Sequence, residues 1–93
     1  MYKNKKIAVV VPAFNEAKQI CKVIETMPDY VDHIVIIDDK STDNMAEVVE
    51  SYAKENPKIV LIRHEVNQGV GGAIATGYKW ARDHECDATA VMA

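Results

Sequence analysis

His33-Ile-Val-Ile-Ile-Asp-Asp-Lys-Ser-Thr-Asp43 is the stretch on which the fold turns. Ile34 to Ile37 are four successive β-branched residues with no polar face to offer water, the pattern of a strand covered on both sides. The run stops at the carboxylates of Asp38 and Asp39. Ser41, Thr42 and Asp43 then supply the short polar side chains that start helices. A helical stripe follows at Met45, Val48, Val49, Tyr52 and Ala53, and Asn56-Pro57 ends it.

The same strand-then-helix unit recurs on either side. Upstream, Ile7-Ala-Val-Val-Val11 is another buried-type strand, expected to end at Pro12, which cannot donate to a ladder. Residues 16 to 27 place Ile20, Val23, Ile24 and Met27 at helical spacing, with Asn15 as N-cap and Pro28 just past the end. Downstream, Lys58 to Arg63 reads as a third strand. Asn67-Gln-Gly-Val-Gly-Gly72 is a glycine-rich turn feeding a helix to about His84, with Ala73, Ile74, Gly77 and Ala81 inward, and Ala88-Thr-Ala-Val-Met92 begins a fourth strand. Alternation with short, right-handed connections predicts an α/β fold: a Rossmann-like, mainly parallel sheet of about four strands with helices on both faces. By analogy with doubly wound sheets, the expected strand order is 3-2-1-4.

Ninety-three residues make one domain, 1–93. A hydrophobic share of 48% beside 27% charged residues excludes a disordered or collagen-like chain. Eleven basic against fourteen acidic side chains provide no stripe to displace phosphate counterions, which argues against nucleic acid as a partner. No run approaches the ~20 apolar residues that cross a bilayer. Pro12 and Asn15-Glu16 cut the first apolar run short, with no cleavage site behind it, so it is not read as a signal peptide. Cys21 and Cys86 match no metal or redox spacing and read as buried or half-buried thiols in a reducing compartment. These features point to a cytoplasmic protein, or to the cytoplasmic part of a larger one. An unpaired sheet edge would invite homo-oligomers.

In open α/β sheets, ligands bind beyond the carboxyl ends of the strands. That rule selects residues 12–16, 38–43 and 65–72, which hold every unusual polar or glycine cluster in the chain. Backbone exposed around Pro12 suits the edge of a planar base, although capping and the helix dipole explain Asn15 and Glu16 as well. Asp38 and Asp39 repel each other unless something compensates. A carboxylate there can accept from a base N–H or from ribose hydroxyls, or help hold a cation. Asp39 is read as the ligand contact and Ser41 and Asp43 as caps of the next helix, while Asp38 either makes loop hydrogen bonds or joins the ligand site. Gly69, Gly71 and Gly72 either bring backbone and helix N–H groups close to a phosphate or make a tight turn with close helix packing. The segment is neither a Walker loop nor a dinucleotide fingerprint. His33, His64 and His84 lack the spacing of a helical zinc site. His64 reads as a strand-exit residue, and Tyr78 and Trp80 read as packing residues.

Taken together, Val9-Val-Val-Pro-Ala-Phe-Asn-Glu16, Val35-Ile-Ile-Asp-Asp-Lys-Ser-Thr-Asp43 and Asn67-Gln-Gly-Val-Gly-Gly-Ala-Ile-Ala-Thr-Gly77 resemble the N-terminal half of a family 2 glycosyltransferase domain with the GT-A fold. The resemblance covers essentially the whole chain, and its third segment is most similar to the dolichyl- and polyprenyl-phosphate sugar synthase branch. It implies a UDP- or GDP-sugar donor and an acceptor such as a polyprenyl phosphate or a glycan. Carried over by position, Pro12, Ala13 and Glu16 would line the nucleoside site and Asp39 would bond the base. Asp38 would orient the loop or lie near the ribose, and Gly69, Gly71 and Gly72 would lie beside the nucleotide.

The same resemblance implies Mg²⁺ or Mn²⁺ held by an acidic motif at the end of the fourth strand, and a later carboxylate acting as base. Both are expected beyond Ala93, so 1–93 is expected to be the donor-binding part of a longer enzyme, with no catalytic or metal residue of its own. Membrane association would come only through later segments. Lys40 departs from the family pattern, in which glycine is common at this position. The rival readings are a Rossmann-like binding module without catalysis and a nucleotidyltransferase. The latter would carry a glycine- and arginine-rich first loop instead of Pro-Ala-Phe-Asn-Glu. A dehydrogenase would need its glycine fingerprint where Pro12 stands.

Overall fold

Seven elements alternate along the chain: β1 (Ile7–Ala13), α1 (Ala17–Glu25), β2 (His33–Asp38), α2 (Met45–Glu55), β3 (Ile59–Arg63), α3 (Gly69–Asp83) and β4 (Ala88–Val91). The computed structural model describes residues 3–92; Met1, Tyr2 and Ala93 lie outside the described residues. The four strands form one sheet in the order β3-β2-β1-β4, with every pairing parallel, as the alternation predicted. Register runs from Ala8 opposite His33 to Ala13 opposite Asp38, and from Ile34 opposite Ile59 to Asp38 opposite Arg63.

Strand alternation sorts the core into two layers. Val9, Val11 and Ala13 of β1, with Ile34 and Ile36 of β2, meet Ile20, Ile24, Met45 and Val49 from α1 and α2. Val10, Val35 and Ile37 face the other way, toward Ala73 and Trp80 of α3. Val35, Ile36 and Ile37 are fully buried, which explains their unbroken apolar run. Burying each such side chain stabilises the fold by about 1.5–3 kcal/mol. Trp80 packs between His33 (ring centroids 5.0 Å apart, edge-on) and His84 (3.8 Å, stacked). Tyr78, expected inside, is 46% exposed on the outer face of α3. Both cysteines are free and half-buried, and no helix among the described residues is long and apolar enough to cross a membrane.

Two boundaries differ from expectation for physical reasons. β1 continues through Pro12 to Ala13, which pairs with Asp38. The Val10 carbonyl accepts from Met92 on the β4 side, whereas the Ala13 carbonyl accepts from Asp39 on the β2 side. Pro12, two residues after Val10, therefore turns its missing N–H away from β2, and the β1–β2 ladder loses no bond. The second difference is that α3 begins at Gly69, so the glycine-rich segment is the first turn of a helix and not a separate loop.

Each connection leaving the carboxyl end of β1, β2 and β3 passes through one left-handed residue: Asn15 (φ 52°), Lys40 (φ 62°) and Gly69 (φ 76°). Asn and Gly tolerate that region, but lysine does so at a cost. Lys40→Gly is expected to stabilise the protein by about 0.5–1 kcal/mol, the relief of strain exceeding the added chain entropy. Urea unfolding measures this, and an unchanged or lower midpoint would contradict it. Further along α3, a Cβ at Gly77 would lie 2.2 Å from Val10 Cγ1, so helix and sheet touch only because that carbon is missing. Gly77→Ala should cost about 1–3 kcal/mol despite alanine's better helix propensity. In a double-mutant cycle with Val10→Ala, the combined loss should fall short of the sum.

Candidate functional site

In the order 3-2-1-4, the connection after β2 emerges between those after β1 and β3, and it reaches both. Asp38 and Asp39 leave β2 on opposite faces, because successive strand residues alternate. The repulsion expected between them is thereby relieved. Asp38 turns toward the α1 and α2 layer, where it is fully buried. Its Oδ1 accepts from the Ser41 amide at 2.8 Å. Its Oδ2 has no hydrogen-bond partner and lies 3.6 Å from Arg63 Nε. Asp38 therefore shapes its own loop from beneath.

Asp39 turns toward α3 and is 4% exposed. Its Oδ1 accepts from the Gln68 amide (2.8 Å) and from His64 Nδ1 (2.8 Å), and its Oδ2 accepts from the Gly69 amide (2.8 Å). The backbone joins the same clasp: the Asp39 carbonyl accepts from Asn67 Nδ2 at 3.1 Å, and the Asp39 amide donates to Ala13 at 3.0 Å. The Gln68 hydrogen bond, then the His64 one, holds the Asp39 carboxyl below the usual aspartate range, with burial opposing them. A depressed pKa means that the clasp adds stability above the ordinary aspartate range, near pH 4. That stability is lost as pH falls through the lowered value.

Neighbouring loops are tied to the β2 exit in the same way. Asn15, expected to cap α1, instead accepts through Oδ1 from the amides of Thr42 (2.7 Å) and Asp43 (3.3 Å), while its own amide donates to Ser41 Oγ (2.9 Å). The start of α1 is capped from across the gap: the Ala17 amide donates to Asp43 Oδ2 at 3.2 Å, and Asp43 Oδ1 accepts from Met45 in the first turn of α2 at 3.0 Å. Two carboxylates of one loop, Asp39 and Asp43, thus supply acceptors for the starts of all three helices. None of the three has a cap bond from its own N-cap side chain.

This gathering leaves a small open hollow of about 70 Å³ at the carboxyl end of the sheet. Pro12, Ala13, Glu16, Asp39 and Gly69, all singled out from the sequence, line it together. Asp38, Gly71 and Gly72, also singled out, do not reach it. Asp38 is on the opposite face, and the two glycines lie beyond Gly69 in the first turn of α3. Phe14, Val70 and Ala73 line the hollow without having been expected. Phe14 and Val70 are 45% and 64% exposed, and large apolar side chains left open at a polar hollow are the signal that marks them. Among the described residues, no group of three or more His, Cys, Asp or Glu stands where it could hold a metal ion. The Asp39 oxygens serve amides and an imidazole, and Asp38 faces a guanidinium. These two carboxylates do not fit a divalent cation. Nor are the Gln68 and Gly69 amides open to a phosphate, since Asp39 already occupies them.

Comparison with known proteins agrees with this architecture. A dolichyl-phosphate beta-glucosyltransferase of Trichomonas vaginalis is 39% identical over 76% of this chain and 25% of its own length. A UDP-N-acetylglucosamine–dolichyl-phosphate N-acetylglucosaminyltransferase of Methanococcus voltae is 35% identical over 90% of this chain and 39% of its own. The chain thus spans between a quarter and two-fifths of these curated relatives. Among solved structures, the mannosyltransferase PcManGT from Pyrobaculum calidifontis, in complex with GDP-Man and Mn²⁺, superposes with a TM-score of 0.75 and 26% identity, over 83% of this chain and 24% of that one. Residues 8–85 match the family described as Glycosyl transferase family 2, and to that family the chain belongs.

Proposed function

We propose that the hollow takes the nucleoside end of a UDP- or GDP-linked sugar, and that the whole protein transfers that sugar to an acceptor such as a polyprenyl phosphate or a glycan. One observation carries the reading: Pro12, Asp39 and Gly69, from three separate strand exits, line a single hollow. At about 70 Å³ it is far smaller than the ~300–1,000 Å³ of typical small-ligand sites, so it would take part of one planar ring system and not a complete nucleotide sugar. The relatives' names supply the chemistry, since they pair a UDP-sugar or a dolichyl phosphate with glycosyl transfer.

The chain's own residues would bind and orient the donor. An ionised carboxylate offers about four acceptor positions, and Asp39 uses three of them internally. The fourth, on Oδ2, would accept an N–H from the edge of uracil or guanine. Phe14 and Val70 would cover the ring, Pro12, Ala13 and Gly69 would let backbone approach it closely, and Glu16 would stand at the rim. Asp38 would act through the loop it shapes. In this reading residues 1–93 are the donor-recognising part of the enzyme. A divalent cation would stabilise the departing diphosphate when bound, with its ligands supplied from outside this hollow.

Calorimetry of the purified protein tests the proposal. UDP or GDP should bind in the micromolar to millimolar range, inorganic phosphate should not, and Asp39→Ala, folded by circular dichroism, should weaken binding by about tenfold or more. Failure of both nucleotides to bind the folded protein, or affinity unchanged in Asp39→Ala, would overturn it.

A further inference from the structure

His64 does not line the hollow, yet it is one of the most constrained side chains in the molecule. Val60 and Ile62 of β3 face α3, and alternation turns His64 the same way. Asp38 is paired with Arg63, so the next residues on the two strands, Asp39 and His64, emerge side by side. The imidazole is 6% exposed and spans two elements: Nδ1 lies 2.8 Å from Asp39 Oδ1, and Nε2 lies 2.8 Å from Thr76 Oγ1 of α3. Thr76 Oγ1 also lies 3.0 Å from the Gly72 carbonyl.

A proton count fixes part of this chain. The ionised carboxylate only accepts, so Nδ1 carries a hydrogen. The single Thr76 hydroxyl proton goes either to Gly72, with Nε2–H donating to the hydroxyl, or to a bare Nε2. Both arrangements keep Nδ1–H on Asp39. The carboxylate is therefore tied to α3 at two levels, directly at Gln68 and Gly69 and, about two turns later, through the imidazole to Thr76.

We propose that His64 is a positioning residue: braced against Thr76, it locks the Asp39 carboxylate in the orientation that grips the Gln68 and Gly69 amides, and so sets how tightly the hollow holds its ligand. Gly69, Val70 and Ala73, one wall of the hollow, ride on the helix start that this carboxylate fixes. The affinity part of the proposal rests on the nucleotide reading above, whereas the gripping part does not.

The experiment compares the protein with His64→Leu, which removes both bonds, and His64→Asn, whose side-chain amide can donate where Nδ1 does. Hydrogen exchange at the Gln68 and Gly69 amides is measured without nucleotide, and UDP and GDP affinity by calorimetry. In His64→Leu, both amides should exchange about tenfold faster and the bound nucleotide should weaken about tenfold, while His64→Asn, which keeps the bond to Asp39 but loses the brace on Thr76, should fall between His64→Leu and the wild-type protein. A folded His64→Leu protein with unchanged exchange and affinity, or a His64→Asn protein no better than His64→Leu, would overturn the proposal. Should His64→Leu not fold, Thr76→Val leaves the shape intact and Nε2 unbraced. Faster exchange at Gln68 and Gly69 then supports the proposal, and unchanged exchange overturns it. If the wild-type protein binds neither nucleotide, the reading of the hollow fails, and the exchange comparison alone still decides the role of His64.

Discussion

A carboxylate that accepts two amides from the start of a helix it does not belong to fixes that helix to its own strand. Asp39 does this for α3, and Asp43, four residues later, does it with single bonds for α1 and α2. Helix starts carry unpaired donors and a partial positive charge, so carboxylates are the acceptors they favour most. Placing both carboxylates on the connection after β2 works because β2 lies between β1 and β3 in the sheet. The hollow is a consequence of that convergence.

Two adjacent acidic residues in one loop need not compete. The two-residue period of the strand sends Asp38 down into its own loop beside Arg63 and Asp39 across to α3. A family 2 glycosyltransferase fold thus uses a single Asp-Asp pair both to shape a connection and to fasten its neighbour. A helix start already satisfied by a carboxylate is a poor seat for a second anion.

Periodicity made the architecture legible. Ile34 to Ile37 announced a strand covered on both faces, and the spacing of Ile20, Val23 and Ile24 announced a helix, because burial follows the 2.0 and 3.6 residue periods directly. Five of the hollow's lining residues were legible too, through the rule that α/β sheets bind at strand exits together with the family resemblance. Capping was not. Asn15 obeys the local N-cap rule but bonds residues 27 and 28 positions away, and Asp39 caps a helix about thirty positions on. Local rules see only neighbours in sequence, and these partners become neighbours only once the sheet has formed. The same holds for Pro12, whose tolerance depends on which neighbouring strand its nitrogen faces, and for His64, whose partners come from β2 and α3.

The structure of the protein with a bound nucleoside diphosphate tests the central claim most directly. The base is expected in the hollow between Pro12, Phe14 and Val70, with Asp39 still holding the amides of Gln68 and Gly69. A base seated elsewhere, or an Asp39 side chain swung away from both amides to meet the ligand, would contradict it.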